Sequence, residues 1–178
     1  PDTLRSLLGE AAGRTLADRA ANRDARRVEG PRRAGSIGAQ SALGRRPARP
    51  AVVRVALGYL ADRVGTRLRR AGRAGSTVTV RVRFVDMRSV TRSTTLPAPV
   101  SATLTLTDVA VELALAALAD HPDQREITLL GLSVSNLRPD VALQLEMPLG
   151  LADDRHRPGT PLGAARLSID RAVDAVRD

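Results

Sequence analysis

The stretch TVTVRVRFVDMRSVTRSTTLP, Thr77–Pro97, decides the fold of this chain. Apolar and polar side chains alternate through its first half, which is the pattern of a strand with one buried face and one open face. The apolar set is Val78, Val80, Val82 and Phe84, and the polar set is Thr79, Arg81 and Arg83. A turn at 86–88 leads into a second strand over Ser89–Pro97, so the stretch predicts an antiparallel pair.

A helix is predicted on each side of this pair. The upstream helix starts near Ala51, with Pro50 in its first turn, and ends in the Arg- and Gly-rich run Arg67–Gly75. Its apolar residues form one stripe at helical spacing: Val53, Leu57, Leu60, Val64 and Leu68. The downstream helix is predicted to have Thr107 as its N-cap and to stop before His121. Its apolar side would be Val111, Leu115 and Leu118.

Two outer strands complete the predicted domain. The first, Ser36–Leu43, places Ile37, Ala39, Ser41 and Leu43 on one face. The last, Ile127–Leu137, contains Gly131, where we expect a bulge or the close approach of another backbone. The order β-α-β-β-α-β predicts an α+β fold of the split βαβ type, with a four-stranded antiparallel sheet and two helices on one face. The other face of such a sheet can be open.

Composition divides the chain into four segments. Residues 1–29 predict a helical segment, 30–35 a linker containing Gly, Pro and Arg, 36–138 the domain, and 139–178 a C-terminal tail. The tail holds the apolar heptapeptide QLEMPLG and an amphipathic helix whose Leu167, Ile169, Val173 and Val176 are available to pack. Because the chain begins with Pro and its first residues already predict a helix, we expect it to be part of a longer protein.

Composition also argues against several kinds of active site. The 178 residues include no Cys and only two His, His121 and His156, which disfavours thiol chemistry, a His-based metal site and a Ser-His triad. No phosphate-binding loop, zinc-protease or nucleophile-elbow motif occurs. We therefore predict no catalytic residue and no metal site. No apolar run reaches the roughly 18 residues of a membrane span, and no signal peptide is visible, so we expect a cytoplasmic protein.

Positive charge is concentrated in the first half of the chain. All 28 basic residues are Arg; 21 of them precede Ser93, against seven acids, and seven follow, against 12 acids. This distribution favours an oriented surface for a polyanion, although a solvated charged face gives the same pattern. The aromatic residues Tyr59 and Phe84 fall on stripes assigned to the core. We therefore do not expect the open face to stack RNA bases.

The order of these segments resembles the little finger domain of the Y-family DNA polymerases, within them the bacterial DNA polymerase IV branch of the actinobacterial type. The resemblance rests on RRAGSIGAQSAL, TVTVRVRFVDMRSVTRSTTLP and ITLLGLSVSNL in that order. The stretch LRSLLGEAAGRTLADRAANRDARRV resembles the end of the family's thumb domain, and EGPRRAG its linker. In this family the palm holds the catalytic carboxylates. The resemblance thus implies a chain without catalysis or a cofactor of its own, and a parent enzyme that uses Mg²⁺.

The resemblance also implies duplex DNA as a partner, since the family's thumb and little finger grip the primer–template duplex. Carried over by position, the DNA-contacting residues are Ser36, Ile37, Gly38 and Ser41 on the first strand and Arg92, Ser93 and Thr94 before the Thr-Leu-Pro turn. Thr128 and Ser133 stand on the last strand where some relatives have Arg. Alternation adds Arg81 and Arg83, whose side chains the open face would present to phosphates.

The heptapeptide QLEMPLG, Gln144–Gly150, has two interpretations. Its residues alone fit an edge strand as well as a peptide that inserts into another protein's apolar pocket. The family carries a clamp-binding motif in its C-terminal tail, so the resemblance implies the DNA sliding clamp as a second partner. The binding residues would be Gln144, Leu145, Met147 and Leu149.

The resemblance therefore implies a nucleoid-associated part of a translesion DNA polymerase, which we expect to be monomeric and to have no membrane partner. It would grip duplex DNA through phosphate contacts and tether the polymerase to the sliding clamp. The alternative is a structural or regulatory adaptor that uses the open sheet face for protein contacts.

Overall fold

The computed structural model describes residues 2–27, 34–139 and 161–177, which belong to two compact units, Pro1–Arg33 and Ala34–Asp178. The first unit consists of α1 (Asp2–Leu8) and α2 (Glu10–Ala20). Gly9 separates them at φ 82°, ψ 161°, a backbone conformation open essentially to Gly alone. The two helices cross at Gly13, where a Cβ would lie 2.6 Å from the Cα of Arg5. The single helix predicted over 1–29 is therefore wrong, because Gly9 breaks it and α2 ends at Ala20.

The second unit contains four strands and three helices in the described residues. They are β1 (Ser36–Pro47), α3 (Pro50–Arg70), β2 (Arg73–Phe84), β3 (Ser89–Val100), α4 (Thr103–Ala119), β4 (Glu126–Pro139) and α5 (Pro161–Arg177). The strands form one antiparallel sheet in the order β1-β4-β2-β3. Each crossover through α3 or α4 skips one strand, so the predicted split βαβ fold is confirmed. No helix in the described part of the chain is both long and apolar enough to cross a membrane.

One apolar core fills the space between the sheet and the helices α3 and α4. The predicted stripe of α3 is fully buried, with every member 0% exposed: Val53, Leu57, Leu60, Val64 and Leu68. It packs in one cluster with Val78, Val80, Val82 and Phe84 of β2 and with residues of α4. Because both helices cover the same face, the other face of the sheet carries no helix of the described residues and is called the open face below.

The strands differ from their predicted form at two places. β1 continues past Leu43 to Pro47 through a register shift between Ala42 and Arg46. Gly131 is neither a bulge nor a close approach: it pairs regularly, and the nearest atom to a Cβ built there is 3.5 Å away. The bulge lies instead at Thr128, since Arg83 pairs with Leu129 while Phe84 pairs with Ile127.

The N-terminus of α4 is capped from a distant part of the chain. Thr107, predicted as the N-cap, lies inside the helix and donates its hydroxyl proton to the carbonyl of Thr103 at 2.8 Å. The backbone N–H of Thr103 instead donates to the carboxylate of Asp170 on α5 at 2.6 Å. A negative charge at this end also complements the helix dipole. The prediction of Thr107 was wrong because the cap is supplied 67 residues away.

The helix α5 is held by carboxylates rather than by its apolar stripe. Of the four apolar residues available to pack, Leu167 is 4% exposed, whereas Ile169, Val173 and Val176 are exposed by 42% or more. Arg69 of α3 forms ion pairs with Asp170 (3.3 Å) and Asp174 (Nη2–Oδ1 3.0 Å). The three side chains are 6%, 12% and 13% exposed. The Arg69 guanidinium holds the pKa of the Asp174 carboxyl below its usual value.

Candidate nucleic-acid interface

The open face of the sheet presents its side chains in four aligned rows. From β1 to β3 the rows are Ser36, Ser135, Thr77, Thr95; then Gly38, Ser133, Thr79, Ser93; then Gln40, Gly131, Arg81, Thr91; and then Ala42, Leu129, Arg83, Ser89. None of these positions is acidic and none is aromatic. Short hydroxyl side chains, glycines and two arginines together make a shallow surface that can donate hydrogen bonds to phosphate oxygens.

Two arginines of β2 are held in place by neutral groups on this face. The Arg81 Nη2 donates to the hydroxyl of Ser89 at 3.2 Å, and the Arg83 Nε donates to the hydroxyl of Thr128 at 3.0 Å. Neither forms an ion pair with a carboxylate among the residues that the structure describes. Their positive charges are therefore oriented but not neutralised.

Several arginines elsewhere on the second unit do have carboxylate partners. Arg45 pairs with Glu126 at 2.8 Å and Arg88 with Asp86 at 2.7 Å. The Arg88 guanidinium lowers the pKa of the Asp86 carboxyl. Such exposed pairs cancel local charge and contribute little stability. Arg81 and Arg83 differ from these arginines, because both lie on the open face and neither is paired with a carboxylate of the described residues.

The residues predicted on β1 are divided between the two faces of the sheet. Ser36 and Gly38 lie on the open face, opposite Ser135 and Ser133. Ile37 and Ser41 lie on the helix-covered face and are half-buried. The structure therefore brings Ser36 and Gly38 to the candidate interface, but not the side chains of Ile37 and Ser41.

The predicted residues on β3 are divided in the same way. Ser93 lies on the open face beside Thr79. Arg92 and Thr94 pair with Val80 and Val78, which face the core, so their side chains lie on the helix-covered side. Arg92 forms an ion pair with Asp120 just past α4. Only Ser93 of the three thus joins the rows of the open face.

On β4, Ser133 and Thr128 occupy different environments. Ser133 lies in the centre of the open face between Gly38 and Thr79. The Thr128 hydroxyl is placed by the bulge against β2, where it lies 3.2 Å from the carbonyl of Arg83 and 3.1 Å from that of Phe84. Its oxygen accepts the bond from Arg83 described above, so Thr128 orients that arginine.

Sequence reasoning missed several members of the rows because it lacked the strand register. Gln40, Thr77, Ser89, Thr91, Thr95 and Ser135 complete the open face. Extending the alternation of Thr77–Phe84 into both neighbouring strands would have found most of them. Tyr59 is a further correction: it is 59% exposed on α3, one residue before the buried Leu60. It does not lie on the open face, which still has no aromatic side chain.

The two remaining predictions concern the clamp-binding residues and metal sites. The clamp-binding residues Gln144, Leu145, Met147 and Leu149 lie outside the described residues. In the described residues, no three His, Asp or Glu side chains are grouped so that they could hold a metal ion. The carboxylate donors that Mg²⁺ prefers are thus not assembled in this part of the chain.

Comparison with known proteins identifies the family. Residues 34–147 match the model of the impB/mucB/samB family C-terminal domain. DNA polymerase IV 2 of Mesorhizobium japonicum is 54% identical over 175 residues, which are 98% of this chain and 42% of that protein. DNA polymerase IV of Streptomyces coelicolor is 36% identical over 137 residues, 76% of this chain and 28% of that protein. The chain thus spans less than half the length of these relatives.

A solved structure shares the fold. A Y-family DNA polymerase chimera of Dbh and Dpo4 superposes with a TM-score of 0.54 at 18% identity, covering 76% of this chain and 38% of that one. The resemblance stated from the sequence is confirmed. The chain therefore belongs to the impB/mucB/samB family and carries the C-terminal, little finger domain of a Y-family DNA polymerase.

Proposed function

We propose that the chain grips duplex DNA without sequence preference, through the four rows of its open sheet face. The observation that carries the proposal is the set of acid-free rows, in which Arg81 and Arg83 are oriented by hydroxyls and paired with no carboxylate in the described residues. Hydroxyls, exposed arginines and closely approachable backbone fix a duplex by its phosphates and read no bases. Ser36, Gly38, Ser93 and Ser133 are the carried-over residues that this surface supports best.

The composition of the open face favours DNA over a protein partner. Protein interfaces bury large apolar side chains at their centre. None of the exposed large apolar residues of the described chain belongs to the four rows, and Leu129 within them is only 9% exposed. The adaptor alternative therefore has less support than the grip on a polyanion.

The proposal extends to the parent polymerase. We infer that nucleotidyl transfer, with its Mg²⁺, belongs to parts of the parent outside this chain, which serves to hold the primer–template duplex at the bacterial nucleoid. Gln144, Leu145, Met147 and Leu149 would tether the polymerase to the sliding clamp. Apolar side chains of this kind contribute about 1.5–3 kcal/mol each when fully buried, part of which is offset by ordering the peptide.

The DNA grip is tested by the salt dependence of binding. Each phosphate neutralised contributes a slope of about −0.9 to the plot of log affinity against log salt concentration. We expect Arg81→Ala with Arg83→Ala to lower the affinity for a mixed-sequence duplex and to make the slope shallower. Arg54→Ala is the matched control, because Arg54 is an exposed arginine on α3, beneath the opposite face of the sheet. An unchanged slope in the double variant would refute the grip.

The tether is tested separately with the purified bacterial clamp. We expect Gln144→Ala with Leu149→Ala to abolish binding measured by calorimetry, because both a polar anchor and an apolar one are removed. Glu146→Ala, within the same heptapeptide, is the control and should bind like the wild type. Equal affinity of the double variant and the control would remove the tether and leave the DNA grip untouched.

A further inference from the structure

A cleft of about 450 Å³ opens where β1 forms the edge of the sheet. Gly38 and Gly131 line it at positions where neighbouring rows carry side chains. Arg81 enters it from the open face, and Arg63 and Arg67 enter it from α3. The cleft therefore joins the open face to a helix that packs on the opposite side of the sheet.

The backbone of Gly38 faces outward from the sheet edge. The Arg67 Nη1 donates to the carbonyl oxygen of Gly38 at 2.9 Å. In an antiparallel strand the N–H and C=O of one residue point to the same side, so the N–H of Gly38 also points away from β4. Since β1 is an edge strand, no other strand of the sheet accepts this proton. The cleft thus presents a backbone donor that no side chain of Gly38 obscures.

The arginines from α3 are fixed by neutral groups. Arg67 is held by the Gly38 carbonyl, and the guanidinium of Arg63 lies over the exposed Tyr59 ring at 5.6 Å. Neither forms an ion pair with a carboxylate of the described residues. Like charges four residues apart on a helix repel each other, by a few tenths of a kcal/mol. An anion bound between them would relieve this repulsion.

We propose that this cleft binds a phosphate group of duplex DNA, with Arg63 and Arg67 as contacts beyond the open face. The inference rests on the proposed DNA grip and adds residues that neither the sequence nor the resemblance indicated. Guanidinium groups match phosphate in shape and charge, and the Gly38 N–H supplies a further donor. The path of the DNA backbone then runs from the open face around the edge of β1.

The test measures binding of a mixed-sequence duplex by fluorescence anisotropy between 50 and 200 mM salt. Removing one phosphate contact should make the salt slope of the variant Arg63→Ala/Arg67→Ala shallower by about 0.9. From 50 to 200 mM salt, the factor by which its affinity falls should therefore be about 3.5 times smaller than the factor for the wild type. Arg54→Ala again serves as the control on the same helix. The Gly38 amide, followed by NMR, should shift on adding DNA to the wild type and shift less at saturating DNA in the double variant.

The outcomes separate this inference from the proposed function. If Arg81→Ala/Arg83→Ala reduces the salt slope while Arg63→Ala/Arg67→Ala behaves like the control, the cleft is not a phosphate site and the open-face grip stands. If neither double variant changes the slope, both ideas fail. The variant Arg67→Lys keeps the charge but not the planar fork, so we expect it to keep the slope and bind more weakly. Wild-type affinity in Arg67→Lys, together with a Gly38 amide shift that is equal in the wild type and in Arg63→Ala/Arg67→Ala, would also overturn the site.

Discussion

Replacing Arg69 with Met is expected to destabilise the second unit strongly. The guanidinium is 6% exposed and serves Asp170, Asp174 and the carbonyl of Ser101, the last at 2.9 Å. Met fills much of the same volume but deprives two nearly buried carboxylates of the cation that both of them contact. Removing one partner of a buried pair costs about 3–5 kcal/mol. For a unit of this size that corresponds to a fall in Tm of roughly 6–20 °C.

The assay is urea and thermal unfolding followed by circular dichroism, with Arg177→Met as the matched control. Arg177 also joins α5 to α3, through Asp62 at 3.0 Å, but its side chain is 49% exposed. An exposed pair of this kind contributes about 0–1 kcal/mol. A loss in Arg69→Met no larger than that of the control would refute the idea that α5 is fixed through Arg69.

The pH dependence gives the same prediction a second readout. The folded-state pKa of Asp174 is lowered, so its pairing stabilises the fold above the unfolded pKa, near 3.9, and is lost as pH falls through the folded value. In Arg69→Met the unpaired carboxylates can instead be relieved by protonation. The difference in unfolding free energy between wild type and variant should therefore shrink between pH 7 and about 3. A difference independent of pH would contradict the role assigned to the charge.

Three glycines yield two further predictions. Gly58→Ala should raise the unfolding free energy by up to about 1 kcal/mol, since Ala favours a helix and the nearest atom to the new Cβ is 4.0 Å away. Gly65→Ala, seven residues along α3, should lower the unfolding free energy, because its Cβ would lie 2.9 Å from Arg69 Nη1 and 3.0 Å from the Ser101 carbonyl. Equal effects of the two variants in denaturant titrations would contradict the close contact at Gly65. Gly131→Ala should stabilise β4 by about 0.5–1 kcal/mol, because its Cβ meets nothing closer than 3.5 Å. The same methyl group should weaken DNA binding, because it occupies the cleft. Anisotropy titrations identical to those of the wild type would show that DNA does not approach the backbone at Gly131.

Much of the fold was predictable because its signals are local. The alternation of Val78–Phe84 and the stripe Val53–Leu68 each record which side of one element is buried, and both are confirmed. The elements whose form depends on distant residues were not predictable. Asp170 caps α4 from α5, and Arg69 requires the carboxylates of α5, so neither the start of α4 nor the packing of α5 follows from its own stretch of sequence.

The candidate site was predictable only in part, for the same reason. Alternation alone placed Arg81 and Arg83 on the open face, where the structure has them. Positions carried over from the family carry no information about faces, so Ile37, Ser41, Arg92 and Thr94 were named although their side chains lie on the helix-covered side. The cleft could not be predicted from the sequence, because it depends on the strand register and on side chains of α3 that reach the edge strand β1. No single segment of the sequence encodes either feature.

The most direct test of the account is to map bound duplex DNA on the chain by NMR amide shifts. We predict that the largest shifts fall on the open-face rows, at Thr79, Arg81 and Ser133, and that amides within the buried face of α4, such as Val111, stay unchanged. Shifts concentrated on the α3–α4 side, with the rows silent, would contradict the claim that the open sheet face grips DNA.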